Sequence, residues 1–221
     1  MEKFELLYSV LSGLHKAGVL TDCVLIGSWC QDFYRLIYNN PFQIPAATTS
    51  DADLLLPKKM KFKEAVDVSA IMEQAGFTIE FDRLSGLSKF IHEDFNFEFL
   101  TEAGAKNDET VFKFKNLNVI TQELRFMGIP LTYNFAYHFR DIIIRLPEPE
   151  AFALHKLIVS QRRKKMDKRE KDIAAAQGLF EFFEGKRKHI KRLHQIYQEL
   201  PKGWQNKIDG TLMKIGLDMP V

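Results

Sequence analysis

The sequence predicts an α+β fold, in which a small mixed β-sheet packs on helices and a helical region follows on the C-terminal side. Three observations predict it. Helical and strand-like apolar patterns alternate in the first part of the chain, consecutive strand patterns follow, and the residues beyond Pro149 have helical spacing almost throughout. Pro147 and Pro149 interrupt the pattern between these regions, so we expect a core domain at 1–146 and a helical domain at 147–221.

Composition places the chain among ordinary globular proteins. It has 221 residues, of which 46% are hydrophobic and 27% are charged, and a chain of this size can bury a core. No apolar run is long enough to cross a bilayer and the first residues lack the form of a secretory signal, so we expect a cytoplasmic protein with no membrane partner. With Cys23 and Cys30 as its only cysteines, the chain lacks a disulfide framework and enough thiolates for a cysteine-based zinc site.

The first elements in order are a helix over 2–17, a strand over 23–26 and a helix over 29–38. Gly27-Ser28 joins the last two. Gly27 lets the backbone come close to a ligand, and Ser28 offers a hydroxyl and an amide at a helix N-terminus, where phosphate is favoured. The alternative is that Gly27 only permits the turn and Ser28 only caps the helix. Trp29, beside this turn, is the aromatic residue expected at the rim of a pocket.

Asp51 and Asp53 stand at the head of the next apolar strand, which Pro57 ends. Two residues apart on a strand, their carboxylates share a face and repel each other. The pair therefore predicts a platform for magnesium, or manganese in its place, because hard cations prefer oxygen ligands. An aspartate-rich turn is the alternative. Residues 38–47, before the pair, contain two prolines and several polar residues, which indicates an inserted loop that either borders the substrate or only connects.

The following segments predict a helix over 62–75 and strands over 77–81, 88–91 and 96–100. On the last strand, Asn96 and Glu98 share one face and three phenylalanines share the other. Glu98 is either a third metal-binding carboxylate, as two-metal phosphoryl transfer requires, or a solvated side chain. Further on we expect a strand at 111–114, a helix or irregular structure at 118–127, one or two strands at 133–146, and helices at 151–163, 168–183, 186–200 and 203–216.

Gly27-Ser28, Asp51-x-Asp53 and Glu98 together resemble the signature of the DNA polymerase beta-like nucleotidyltransferase superfamily. The segments 49–54, 97–101 and 152–163 resemble a bacterial branch of uncharacterised nucleotidyltransferase-like proteins, and the similarity covers 23–172. The interval from Ser28 to Asp51 is longer than in minimal members. The resemblance implies a metal-dependent enzyme that moves a nucleoside monophosphate from a nucleoside triphosphate onto a hydroxyl of a protein, an RNA or a small molecule.

The same resemblance implies the roles of individual residues. Asp51, Asp53 and Glu98 would be catalytic and would bind the metal, and Gly27 and Ser28 would hold the triphosphate. Among the cations that could bind the triphosphate, Lys156 is the first choice and Arg162 the second. Their neighbour His155 is expected to be structural, and Asp172 is a secondary candidate that could instead pair with a basic neighbour.

The net charge of +2 conceals two basic runs, at 161–171 and 185–192. Phosphates are natural partners for such surfaces, although charge runs are often only solvated helix faces. Nucleic-acid binding through the first run is therefore an open alternative. Another is a catalytically silent nucleotide-binding or toxin-antitoxin-type module with the same fold. The base of the nucleotide and the acceptor are not determined by these patterns.

Overall fold

The computed structural model describes residues 2–46, 51–62, 64–104 and 110–221. The chain divides into two compact units. Unit 1 comprises Met1–Trp29 and Thr48–Leu146, and unit 2 comprises Cys30–Ala47 and Pro147–Val221. Unit 2 therefore contains, besides the helical region that begins at residue 147, a helix and a loop from the early part of the chain.

The helices of the described residues are α1 Glu2–Lys16, α2 Trp29–Ile37, α3 Val68–Gln74, α4 Gly128–Thr132, α5 Pro149–Ser160, α6 Met166–Phe183, α7 Arg187–Glu199 and α8 Lys202–Ile215. The strands are β1 Val24–Ile26, β2 Asp51–Leu55, β3 Thr78–Phe81, β4 Ser88–Ile91, β5 Asn96–Glu102, β6 Val111–Phe114, β7 Val119–Leu124, β8 Asn134–Phe139 and β9 Ile142–Pro147. No helix in these ranges is long and apolar enough to cross a membrane.

The strands form one mixed sheet in unit 1, and this sheet confirms the predicted α+β class. Its order is β3-β4-β5-β2-β1-β9-β8, and β6 and β7 extend it beside the far end of β5. The three consecutive strands predicted over 77–81, 88–91 and 96–100 are present as β3, β4 and β5, which pair in antiparallel order. In contrast, β5 runs parallel to β2, which brings two segments that are distant in sequence into direct pairing.

Two predicted elements differ from the structure. The helix predicted over 62–75 begins only at Val68, because the Asp67 carboxylate accepts a hydrogen bond from the Ala70 amide at 3.1 Å and caps the helix there. Within 118–127, the predicted helix or irregular segment is the strand β7. Its alternate residues are buried, and its partners β5 and β6 supply the hydrogen bonds that decide its conformation.

Phenylalanines form much of the sheet's buried face, as expected of core residues. The Phe99 ring meets Phe90 and Phe97 edge to face, with ring centroids 5.6 Å and 5.2 Å apart. Phe90 also lies opposite Phe97 in the register of β4 and β5. These rings hold β5 firmly between its neighbours, which fixes the direction of the side chains on the other face.

Candidate active site

The predicted acids of unit 1 lie side by side on the sheet. The parallel register of β2 and β5 pairs Asp51 with Asn96 and Asp53 with Glu98. Residues paired in this way point to the same side of a sheet, and adjacent strands are about 4.8 Å apart. The structure therefore brings all three predicted carboxylates to one face.

The burial pattern shows which face this is. Asp51, Asp53 and Glu98 are half-buried, whereas the residues between them are fully buried. Ala52 and Phe97, which point the other way, have no exposed surface. The apolar alternation thus holds the acids at the solvent-facing side of the sheet. Residues 47–50, which include the Thr49 position of the family pattern, lie outside the described residues.

Gly27 lies against the acids. The residue has a φ of +77°, a left-handed conformation that favours glycine, and it leads directly from β1 through Ser28 into α2. A Cβ built on Gly27 would lie 2.5 Å from Asp53 Oδ2. Ile26, the preceding residue, is opposite Asp53 in the antiparallel register of β1 and β2. Glycine is therefore required here both by the turn and by the carboxylate, and Ser28 is the residue that follows Gly27 in the chain.

Two polar side chains accompany the acids. Asn96 Nδ2 donates a hydrogen bond to Asp51 Oδ1 at 3.3 Å. Lys89 Nζ lies 3.9 Å from Glu98 Oε1; the Lys89 side chain is exposed, at 45%, and the Glu98 side chain is half-buried, at 29%. Solvent screens such a pair, so it holds Glu98 weakly. Lys89 was not predicted as a site residue, although its strand alternation places it opposite Glu98 once β4 and β5 are paired.

The donor set suits a hard divalent cation. Carboxylate oxygens from two adjacent strands are the ligands that magnesium and manganese prefer. Within the described ranges, no three or more His, Cys, Asp or Glu side chains are already grouped around a common metal position. The backbone thus aligns Asp51, Asp53 and Glu98 on one face, and the side chains of these residues would have to turn toward one another to share an ion.

Trp29 does not lie at an open rim, which corrects the expectation from its position. Its side chain is 2% exposed and packs edge to face on Phe4 and Phe95, at 5.1 Å and 5.5 Å. Among the described residues its indole Nε1 has no hydrogen-bond partner. The Trp29 ring is therefore part of the hydrophobic core next to the Gly27-Ser28 turn.

In unit 2, Lys156 is part of a buried ion cluster. It is 8% exposed, and Lys156 Nζ donates to Asp172 Oδ1 at 2.6 Å. Arg163 Nε donates to the other oxygen of Asp172 at 2.6 Å. Burial alone raises the pKa of Asp172, but the attraction to Lys156 and Arg163 outweighs it, so the pKa is lowered. Pairing with basic neighbours, the alternative stated for Asp172, is what the structure shows.

His155, next to Lys156, is half-buried, and its Nε2 atom is not accessible to solvent. Burial, followed by repulsion from Lys156, lowers the pKa of His155 to about 3. Its Nε2 has no hydrogen-bond partner among the described residues. His155 is therefore neutral at physiological pH. Arg162, by contrast, is exposed just beyond the end of α5.

Within unit 2, the loop before the acids is hydrogen-bonded to α2 and packs against α6. Arg35 Nη1 donates to Ile44 O at 2.8 Å, and Gln31 Nε2 donates to Pro45 O at 3.2 Å. A Cβ on Gly178, in the middle of α6, would lie 2.2 Å from Gln43 O. The described part of the predicted inserted loop is thus a packed segment, and a glycine inside a helix makes room for it. A helical glycine is the one sequence signal that could have indicated this contact.

Comparisons with known proteins identify a family for this chain and solved structures that have a similar fold. A family model described as a nucleotidyltransferase matches residues 5–201. No curated protein matches the chain by sequence. Two solved structures share the fold. The solution structure of the antibiotic-resistance factor ANT(2'')-Ia has a TM-score of 0.50 and 14% identity, and covers 89% of this chain and 91% of that chain. The crystal structure of ANT(2'')-Ia in complex with adenylyl-2''-tobramycin has a TM-score of 0.52 and 12% identity, and covers 97% and 99%.

Proposed function

Because this chain belongs to the nucleotidyltransferase family, we propose that it transfers a nucleoside monophosphate from a nucleoside triphosphate onto a hydroxyl group, with magnesium or manganese as cofactor. The observation that carries the proposal is the register of β2 and β5, which aligns Asp51, Asp53 and Glu98 on one face beside Gly27. An isolated Asp-x-Asp pair has many uses, and a third carboxylate on the neighbouring strand adds the ligand that a two-metal site for phosphoryl transfer requires.

Asp51, Asp53 and Glu98 are the residues that would hold the metal. Bound there, it would neutralise the phosphates and stabilise the charge that develops as pyrophosphate leaves. Gly27 and Ser28, at the N-terminal end of α2, would bind phosphate oxygens through backbone amides and the hydroxyl. Glu98 would orient the acceptor hydroxyl and accept its proton. The hydroxyl oxygen then bonds to the α-phosphorus, while the bond from that phosphorus to the β-phosphate oxygen breaks.

The roles of Lys156 and Arg162 in binding the triphosphate stay predictions. Lys156 is already bonded to Asp172, so its charge is largely neutralised before any phosphate arrives. Arg162 is exposed. We therefore expect Arg162→Gln to raise the KM for the triphosphate more than a substitution of Lys156 that leaves the fold intact.

A small hydroxylated molecule is the acceptor to test first. The crystal structure of ANT(2'')-Ia, which has a similar fold, contains adenylyl-2''-tobramycin, a nucleotidylated small molecule. That structure covers 97% of this chain. The same experiment also tests protein and RNA acceptors. The protein, magnesium and each labelled triphosphate are incubated with a cell extract, which is then separated into small-molecule, RNA and protein fractions.

The decisive variant is Asp51→Asn/Asp53→Asn, which we expect to lower transfer by about 10³-fold, since it removes several kcal/mol of metal-derived stabilisation. Asp22→Asn/Glu80→Gln removes two exposed acids of the same unit and should keep the wild-type rate. Thermal unfolding of both variants checks the fold. Equal activity in the wild type and the Asp51→Asn/Asp53→Asn protein would refute the proposal, and binding of nucleotide without any transfer would favour the silent module.

A further inference from the structure

A dense group of cations lies on the surface of unit 2 at the beginning of α6. Residues 162–171, named here the α6 basic segment, contain seven Lys or Arg residues and only two acids, Asp167 and Glu170. The seven are Arg162, Arg163, Lys164, Lys165, Lys168, Arg169 and Lys171. All of these cations are exposed except Arg169, which is half-buried. The segment therefore presents most of its charge to solvent.

Most of this charge is not neutralised by the protein. Within the ranges that the structure describes, Lys164, Lys165, Lys168 and Lys171 take part in no salt bridge. Arg163 of the segment is engaged with the buried Asp172. The four lysines therefore keep their charge available for an anion from outside the chain.

The position of the segment works against the stability of α6. The N-terminus of a helix carries a partial positive charge, and a cation in its first turn is unfavourable by roughly 0.3–1 kcal/mol. Lys165 occupies the N-cap position, and no side chain there accepts the unpaired helix amides. Asp167 in the first turn offsets part of this cost, whereas Lys168 and Arg169 in the same turn add to it.

We propose that the α6 basic segment binds the phosphate backbone of a nucleic acid. Lys168 and Lys171, three residues apart, lie on one helix face, and Lys164 and Lys165 directly precede it. Successive phosphates follow one another at short and regular intervals along a nucleic-acid strand, so several lysines can engage neighbouring phosphates. The inference goes beyond the proposed transferase activity and does not depend on it.

The composition of the segment favours nucleic acid over a membrane surface. Met166 is its one large apolar side chain, exposed at 64%. Helices that bind in the membrane interface place Trp, Phe or Leu beside their cations to enter the acyl region. The α6 basic segment has none of these three residues.

The second basic run differs, and it supplies a control. Lys186 Nζ lies 4.2 Å from the Phe182 ring centroid, and Arg192 forms two hydrogen bonds with the Glu148 carboxylate at 2.6 Å and 2.7 Å. These cations hold α7 within unit 2. Four of the exposed lysines on α7 and α8 are suitable for a matched substitution, namely Lys188, Lys191, Lys207 and Lys214.

The test measures binding of labelled single-stranded RNA and DNA of about 20 nucleotides by fluorescence anisotropy, over a salt series of about 50 to 200 mM. One variant carries Lys164→Gln, Lys165→Gln, Lys168→Gln and Lys171→Gln. The control carries Lys188→Gln, Lys191→Gln, Lys207→Gln and Lys214→Gln. For a single strand each phosphate contact contributes about 0.7 to the slope of log K against log salt, so the first variant should lose about 3 from the slope. The control should lose less than about 1.

Several outcomes would overturn the inference. These are equal losses in both variants, no binding of either nucleic acid by the wild type at the lowest salt, or binding only to vesicles that contain phosphatidylserine. The Asp51→Asn/Asp53→Asn protein is measured in parallel and should bind RNA as the wild type does. A protein that binds RNA but transfers no nucleotide would refute the transferase and leave this inference standing. Chemical denaturation of each variant confirms that the fold is kept.

Discussion

The two units carry opposite charge, although the chain as a whole is nearly neutral. Unit 1 has 14 Lys or Arg against 18 Asp or Glu, a net charge of −4, and unit 2 has 17 against 11, a net charge of +6. In unit 1, Asp53 and Glu98 lie on a half-exposed sheet face, while in unit 2 Asp172 is buried between two cations. The difference teaches that a buried carboxylate between two cations contributes to the folding of unit 2, whereas the half-exposed carboxylates of unit 1 are the ones proposed to bind a cation.

Neutralising one carboxylate in each unit gives the sharpest test of this difference. Asp172→Asn leaves Lys156 buried without its carboxylate, and we expect a loss of about 3 kcal/mol in the free energy of unfolding. Glu98→Gln removes only a screened pair with Lys89 and should change stability by less than about 0.5 kcal/mol while transfer is lost. Urea denaturation measures both. Similar losses of stability in the two variants would contradict the difference between the buried carboxylate of unit 2 and the half-exposed carboxylate of unit 1.

Glycine substitution tests whether the turn of unit 1 is shaped for its carboxylate. Gly27→Ala should lower transfer by about 10²-fold, because the new Cβ displaces Asp53, and small displacements of a catalytic group have effects of this order. Gly18→Ala is the matched control. Gly18 has a φ of +72°, close to that of Gly27, but a Cβ there would meet no atom within 4 Å. Both variants suffer the same backbone strain, so kcat should fall only in the first.

The packing of the loop on α6 can be tested in the same way within unit 2. Gly178→Ala should destabilise the protein by about 2 kcal/mol, since the added methyl group overlaps Gln43 O and the loop must move. Gly210→Ala, inside α8 with no atom within 4 Å of the new Cβ, should stabilise it by up to about 1 kcal/mol. If both substitutions stabilise the protein, the loop is not held by this contact.

The free energy of unfolding should decrease at acid pH because of His155 in unit 2. The folded pKa of His155 is about 3, below its ordinary 6.5, so the unfolded chain binds a proton first as the pH falls. The resulting stability is complete above pH 6.5 and decreases below it. Between pH 7 and 5 the wild type should lose about 2 kcal/mol more than His155→Leu, as measured by denaturation at both pH values. Equal losses would show that His155 is not held neutral by burial.

Much of the fold could be predicted because its signals are local. The alternation around Asn96 and Glu98 gave the correct strand and the correct face, and the prolines near residue 147 coincide with the start of the helical region. The strand β7 could not be predicted in this way. Its residues Val119, Ile120 and Thr121 favour a strand, but the hydrogen bonds to β5 and β6 that decide its conformation exist only in the folded sheet.

The sequence by itself determined which side chains share a face. A strand repeats every two residues, so Asp51 and Asp53 had to point the same way, and Gly27 had to precede a helix. Only the tertiary structure decided that Glu98 lies beside Asp53, because register depends on pairing between segments far apart in the chain. It also decided that Lys156 is neutralised by Asp172, since the burial of a charge is set by the elements packed around it.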